Sequence, residues 1–464
     1  MGVEVELLER FWAAVSDQPH PPVSFVGEGT LESRYAVSEF AAAAIATAGL
    51  AAGETVVNRA LADAWFGQAL RPVGWTLPSP WDSIAGDYRT ADGWIRLHTN
   101  APHHRLAALL VLGLPDSSVP MHRVKVVGRQ ASPAEAPDPQ QERLDVAAAV
   151  AEWKGLDLET EIVDAGGAAA VLRAPAEWAA HPQGAAVAAE PLIAWTMGSE
   201  RVERVEPVET KLRDEPLDGI RILDLTRVIA GPVATRFLAG LGANVLRIDP
   251  PDWDEPAIVP EMTLGKRSAR LDLLDADGLR TLRELIAQAD VIVHGYRADA
   301  LERLGLGDEQ VRALNPGIVD VAINAYGWSG PWRNRRGFDS LVQMSSGLAF
   351  DAVPSPLPAQ ALDHATGYLA AAAVLEGLRR RRQLGLGSSA RLSLARTALE
   401  LPLAGRVPQS AYRDRGADAP PLRTASIATP WGSAALLQSP LTIDRDPLNW
   451  TRMPRPLGAD APTF

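Results

Sequence analysis

Between Gly219 and Gly405 short apolar runs alternate with amphipathic stretches, and that alternation leaves the chain few ways to fold. The runs IRILDLT, NVLRID, DVIVHG and IVDVAINAYG read as strands. GPVATRFLAGLGA, DADGLRTLRELIAQA and GDEQVRALN between them read as helices, with Pro232 at a favoured first-turn position. Strands joined through helices of this length predict an α/β fold, a parallel sheet with helices on both faces. Ligands of such sheets bind beyond the carboxyl ends of the strands, which here lie just after Leu225, Ile248, Val293 and Ile323.

Upstream, DYRTADGWIRLHT alternates like a strand pair turning at Asp92-Gly93. Helical stretches near 105–113 and 142–154 come next, and ETEIVDAGGAAAVLRAPAEWAAHPQG reads as helix, glycine turn, strand and helix. The expected organisation is a helical N-terminal segment over 1–74, a smaller α/β domain over 75–205 and a charged linker over 206–216. A large domain over 217–405 and a Pro-, Asp- and Arg-rich tail over 406–464 that wraps the surface complete it. A length of 464 residues accommodates such an arrangement.

The formal charge of −12 argues against a nucleic-acid partner, which requires a basic face. The absence of cysteine excludes disulfides, thiolate metal sites and a cysteine nucleophile. No apolar run approaches a membrane span, and the acidic start MGVEVELLERF lacks the form of a signal peptide. A cytoplasmic protein is expected. No His, Asp and Glu spacing resembles a metal site, so His294 and His364 read as local hydrogen-bonding groups.

The stretch QALDHATGYLAAAA sets Asp363 and His364 directly before an almost wholly apolar helix. An aspartate there suits a helix N-cap and the positive end of the helix dipole. The helix beyond it also has an internal echo. FAAAAIATAGL from Phe40 aligns without gaps on YLAAAAVLEGL from Tyr368, which sets Tyr35 opposite Asp363. The first 74 residues then read as a truncated repeat of the large domain's end, without the carboxylate.

Six phrases carry a resemblance: LDGIRILDLTRVIAGPVATRFLAGLGANVLRID, LGKRSARLDLLDADG, ADVIVHGYRADALERLGLG, LNPGIVDVAINAYGWSGPW, RGFDSLVQMSSGLA and LDHATGYLAAAAVLEGLRRRRQLGLGSSARLSL. In this order and spacing over about 215–400 they resemble the class III CoA-transferases, the family of formyl-CoA transferase, carnitine CoA-transferase and α-methylacyl-CoA racemase. The 75–205 region resembles that family's small domain and PRPLGADAPTF its C-terminal tail. The order is rearranged, because the small-domain-like part here precedes the large one. The resemblance implies a Rossmann-like large domain, coenzyme A as the thioester substrate and product, no metal, and a homodimer that is interlocked in the family. An acyl-CoA and a carboxylic acid would be the reaction partners.

The resemblance places the catalytic aspartate at Asp363. By that analogy the carboxylate attacks an acyl-CoA to give a mixed anhydride, then an aspartyl-CoA thioester, and an acceptor acid reverses the sequence. A carboxylate so used is reactive when partly desolvated, and helix-start N–H groups can stabilise the oxyanion. The same analogy assigns coenzyme A contacts to the backbone of Val228, Ile229 and Ala230, to Lys266 and Arg303 for phosphate, and to Tyr296 for adenine. Asn324, where formyl-CoA transferase has an active-site lysine, is counted with them. Pro250 replaces a common basic residue and Gly295 a common asparagine, which removes positive charge and a polar contact.

Other readings compete. A racemase needs an acid–base pair, and Phe338 stands where the racemases' histidine precedes Asp339; a phenyl ring moves no proton. Asp339 then reads as a turn-ordering residue. Strand, turn, helix, strand and Asp249 imitate a nicotinamide-binding unit, but VIAGPVAT lacks the three glycines such a turn requires. A non-catalytic CoA-binding homologue is the principal alternative, since function resides in sites and not in folds. Of the thirteen tryptophans, Trp328 and Trp332 near a strand end are candidates for shaping an acyl pocket.

Overall fold

The computed structural model describes residues 2–116, 138–201, 216–407 and 422–464. Contacts divide the chain into two compact units, one of Met1–Pro78, Ala185–Asn334 and Leu357–Phe464, the other of Ser79–Gly184 and Arg335–Pro356. Apart from residue 216, the expected linker lies outside the described residues.

In the first unit, strands β1 (Val23–Val26) and β2 (Thr55–Asn58) pair in parallel, with helix α1 (Val37–Leu50) between them in the chain. Residues 1–74 thus hold helices interleaved with strands of four residues or fewer, too short to show the two-residue alternation that marks a strand in sequence. Asn58 ends β2 and caps the helix Arg59–Trp65, its side chain accepting from Leu61 N–H at 3.0 Å.

The main sheet has seven strands: β3 (Ala194–Arg201), β4 (Arg221–Leu225), β5 (Asn244–Asp249), β6 (Arg267–Arg270), β7 (Val291–His294), β8 (Val319–Asn324) and β9 (Leu386–Ser393). Their order is β6-β5-β4-β7-β8-β9-β3, parallel throughout except that β3 runs antiparallel to β9 at one edge. Setting β3 aside, the chain starts at a central strand, winds outward to β6, returns beside its start at β7 and winds the other way. This is the doubly wound α/β order expected from the alternation, and its direction reverses between β4 and β7. A crevice opens at such a reversal, outside the carboxyl ends of those strands.

Both faces of the sheet are covered. Leu223, Leu246 and Ile292 on one face pack with Leu282, Leu285 and Ile286 of the helix Ala276–Gln288. The other face carries α2 (Ala230–Ala239) and α3 (Ala361–Leu384), which pack on each other; α2 also lies against β4, β5 and β7, and α3 against α1 and β8. Both α1 and the first eighteen residues of α3 are almost entirely buried. Their alanine runs let neighbouring backbones approach closely, and glycines extend this. A Cβ added at Gly377 in α3 would overlap Val319 of β8, and one at Gly49 in α1 would overlap Thr55 of β2. The tail contributes strands too: Gly432–Leu437 pairs with Leu70–Pro72, and Leu441–Ile443 with β2.

The second unit holds an antiparallel sheet of Gly86–Arg89, Trp94–Leu97 and Ala169–Val171, with the expected turn at Asp92-Gly93. Helices Pro102–Leu112, Pro139–Ala151 and Gly155–Asp164 close its core around Ile95, Leu109, Val150 and Ile162. In this unit Phe338 stacks on His98 with ring centroids 3.6 Å apart. Asp339 is buried at the start of the helix Asp339–Ser346. Among the described residues no helix is long and apolar enough to cross a membrane.

Candidate active site at the strand ends

At the reversal between β4 and β7, the first feature is the turn that leaves β4. Asp224, fully buried, accepts hydrogen bonds from Thr226 N–H at 2.9 Å, from the Thr226 hydroxyl and from the Thr235 hydroxyl at 2.6 Å. These bonds fold the chain sharply from the strand into α2. The turn between them contains Val228 at φ +64°, a left-handed conformation that a β-branched residue rarely adopts. An external partner holds it: the Val228 N–H donates to Glu255 Oε1 at 2.7 Å. Glu255 accepts at its other oxygen from Arg247 Nη2 at 2.8 Å, and Arg247, itself fully buried, also grips both oxygens of Asp249. Asp249 is therefore enclosed and engaged, unlike the ribose-binding acid of a nicotinamide site.

Lys266 differs from its phosphate-binding expectation. Its side chain is fully buried, and the ammonium donates to Asp224 Oδ2 at 3.0 Å, Pro232 O at 2.9 Å and Thr235 Oγ1 at 2.6 Å. Burial draws its pKa down to about 8, opposed by the Asp224 carboxylate. With three acceptors and no exposure, this ammonium ties β6 to β4 and α2 and is not presented to a ligand.

The other sequence candidates range from buried to largely exposed. Val228 and Ile229 are half-buried and Ala230 begins α2. Tyr296, just beyond β7, is half-buried, and burial raises its hydroxyl pKa. Arg303 is 69% exposed along its side chain and ion-paired to Asp299 at 2.5 Å. Asn324 is buried at the end of β8, donating to Gly327 O at 2.7 Å and accepting from Gly327 N–H at 2.8 Å, which closes the turn after the strand. Pro250 carries no charge, but its loop is fixed by Arg270 Nη1, which donates to the carbonyls of Pro250, Pro251 and Trp253.

Asp363 sits in the first turn of α3, 7% exposed. The N-cap is Gln360, so Asp363 is the third helical residue and the cap reading is displaced by three positions. Gly367 lies one turn further on the same helix face, because residues four apart align. A Cβ at Gly367 would overlap the Ala230 carbonyl oxygen. Asp363 thus lies one helix turn before the residue that meets Ala230. His364 points elsewhere, stacked on Phe66 at 5.0 Å between ring centroids, with Nδ1 buried and unpartnered. His294 makes the expected local contact, Nε2 lying 3.2 Å from Asp320 Oδ1. Trp328 donates its indole N–H to Leu392 O at 2.9 Å, and Trp332 packs edge-on to Tyr326.

Sequence reasoning overlooks Glu255, Trp253 and Arg227. The Arg227 guanidinium lies 4.6 Å from the Trp253 ring centre and 5.5 Å from that of Tyr296. Three separate strand ends meet here, and no spacing along the chain signals it.

Similarity to known proteins is concentrated in the same region. Residues 217–418 match the model of CoA-transferase family III. Over 191 residues the chain is 37% identical to succinyl-CoA:glutarate CoA-transferase of Mus musculus, a match covering 37% of this chain and 44% of that protein. Over 317 residues it is 30% identical to an acyl-CoA transferase of Gibberella moniliformis, covering 64% and 53% respectively. A crystal structure of Rv3272 from M. tuberculosis shares 29% identity over 41% of this chain and 58% of that chain, with a TM-score of 0.38. The chain spans about half the length of the curated relatives it matches.

Proposed function

We propose, from the match of residues 217–418 to CoA-transferase family III, that this chain moves coenzyme A from an acyl-CoA to a carboxylic acid, with Asp363 as the nucleophile. The observation that supports the reading is the packing of Gly367 against the Ala230 carbonyl, one helix turn from the nearly buried Asp363. In this proposal the backbone of Val228, Ile229 and Ala230 lines the nucleotide, Tyr296 faces the adenine and Arg303 reaches phosphate from the rim. Asn324 shapes the turn beside the thioester. Lys266 is left out, its ammonium being engaged by Asp224, Pro232 and Thr235.

The chemistry needs no net proton transfer. An Asp363 oxygen attacks the thioester carbonyl, the carbon–sulfur bond breaks and CoA leaves as thiolate. The thiolate attacks the aspartyl carbonyl of the mixed anhydride, releasing the donor acid as carboxylate and leaving an aspartyl-CoA thioester. The acceptor carboxylate displaces the thiolate from that thioester, and the thiolate then attacks the acceptor's acyl carbon and frees Asp363. Low exposure of the carboxylate raises its reactivity and limits hydrolysis of the anhydride.

A non-catalytic CoA-binding role is the second reading, favoured by the substitutions at Pro250, Gly295 and Asn324 and by the engagement of Lys266 within the fold. One experiment separates the two. The protein is incubated with a panel of acyl-CoAs, quenched with hydroxylamine or borohydride, and mapped by peptide mass. A modified Asp363 is expected, absent from Asp363→Asn, whose transfer rate falls at least about a thousandfold. An unmodified Asp363 with every acyl-CoA tried rejects the transferase reading.

A further inference from the structure

We infer that Arg227, stacked on Trp253 and Tyr296, is the cation that receives a phosphate of the coenzyme at the strand-end crevice. The inference rests on the CoA reading above and names a residue that no sequence motif singles out.

The buried neighbouring cations are already committed, and Arg303, the rim contact proposed above, is largely exposed. Lys266 is buried on Asp224, and Arg247 is buried on Asp249 and Glu255. Arg236 is paired with Glu261 and lies over the Trp65 ring, Arg270 donates to three loop carbonyls, and Arg303 is paired with Asp299. Arg297 lines a separate cavity of about 470 Å³, beneath the segment 294–311, together with His294 and Asp320. Arg227 is different. It is half-buried, it immediately precedes Val228, and among the described residues no carboxylate pairs with it.

Its surroundings are organised. Trp253 comes from the loop after β5, Tyr296 from the loop after β7, and Arg227 itself from the turn after β4, so three strand ends converge on one guanidinium. A guanidinium beside aromatic rings keeps in-plane N–H donors; Arg227 has one directed to the Tyr296 hydroxyl, which leaves the others for a planar or tetrahedral oxyanion. Such charge-assisted bonds are the stronger kind, and fixing the side chain beforehand removes much of the entropy that a free arginine loses on binding. The platform is itself fixed. Arg270 pins the Trp253 loop, and Glu255 from that loop holds the Val228 N–H. The charge absent at Pro250 is thus supplied from the adjacent strand end.

Isothermal titration of the full chain with CoA and with 3′-dephospho-CoA tests this. Wild-type protein is expected to bind CoA, and Arg227→Gln to bind it about ten to a hundred times more weakly. Arg227→Lys, which keeps the charge but not the planar fork, should fall between them. If the substitution weakens CoA but not 3′-dephospho-CoA, the bound group is the 3′-phosphate; if it weakens both equally, it is the diphosphate. Either result supports the assignment. Unchanged affinity of both variants for both ligands, with melts matching wild type, overturns the Arg227 assignment and leaves the CoA reading intact. Failure of wild-type protein to bind CoA overturns both.

Discussion

At the scale of single residues, the turn at Val228 stores strain and the structure identifies its restraint. A non-glycine residue in the left-handed region costs about 1–2 kcal/mol, more readily sustained when the surroundings over-determine it. The Val228 N–H bond to Glu255 is the external constraint, and Arg247 keeps Glu255 in place. Glu255→Ala removes the acceptor and leaves Arg247 with one carboxylate partner fewer; a loss of about 1–3 kcal/mol is expected in denaturant unfolding. In a Val228→Gly background the turn forms without strain, so the same substitution should cost less, the Arg247 contribution being common to both backgrounds. The double-mutant cycle therefore isolates the turn, with a coupling of about 1 kcal/mol expected. Strictly additive losses would mean that Glu255 does not clamp Val228.

At the scale of elements, α3 is the part on which the site depends, because one helix carries both the carboxylate and the contact that aligns it. Gly367→Ala places a methyl group against the Ala230 carbonyl and within about van der Waals reach of Val233, so α3 must move away from α2. The expected cost is about 1–3 kcal/mol, with transfer activity falling further than the stability loss accounts for. Gly377→Ala, ten residues along and against β8, should cost similar stability while sparing the residual rate of the folded fraction. Equal activity loss in both variants would detach the alignment of Asp363 from this contact. How far the sequence reveals these elements depends on whether local pattern or distant contact determines them. The strand NVLRID is Asn244–Asp249 to the residue, because apolar Val245, Leu246 and Ile248 stand between turn signals at Gly242 and Pro250, although the sequence does not show that Arg247 and Asp249 are buried as a pair. Strand β3 is illegible, since its antiparallel pairing joins residues nearly two hundred positions apart. Asp363 is legible through its phrase, though its helix position is not: the cap falls at Gln360, which has no capping side chain. Lys266 resembles a ligand-binding group because sequence cannot show that a lysine's ammonium is already surrounded. Glu255 and Trp253 lie in a loop whose composition reads only as acidic and proline-rich, and Arg227 gains meaning only from rings supplied by two other strand ends.

At the scale of the whole molecule, both units bury imidazoles that the fold keeps neutral, and this sets a pH dependence of stability. Burial holds His364 at about 3 in the first unit, with Arg236 adding to the depression. In the second unit burial holds His104 at about 3, reinforced by His103 and Arg336, and pulls His98 well below its ordinary value, reinforced by His104 and Arg96. The unfolded chain takes up these protons near pH 6.5, whereas the folded chain does not until near pH 3. Within that interval the unfolded state binds more protons, so stability falls as pH falls, by up to about 1.4 kcal/mol per pH unit for each histidine. Above pH 6.5 these groups contribute no slope. Buried carboxylates act lower: Asp224 and Asp320 are held below the usual range, burial outweighed by Lys266 for one and Arg391 for the other, and their stabilisation is lost only as pH drops below about 4. Asp63 and Asp249, both raised by burial, act with the opposite sign, offsetting part of the histidine slope as they titrate. Across about pH 6.5 to about 5 the buried histidines supply the decline in stability. Guanidinium midpoints measured across it should decline for wild-type protein, and His364→Leu, which keeps an apolar side chain against Phe66, should flatten the decline by one group's share. A second-unit variant, His104→Leu, should flatten it similarly, and the double variant should sum the two because the sites share no partner. If His364→Leu leaves the slope across that interval as steep as in wild-type protein, the buried neutral imidazole beside Asp363 is not the group that titrates on unfolding.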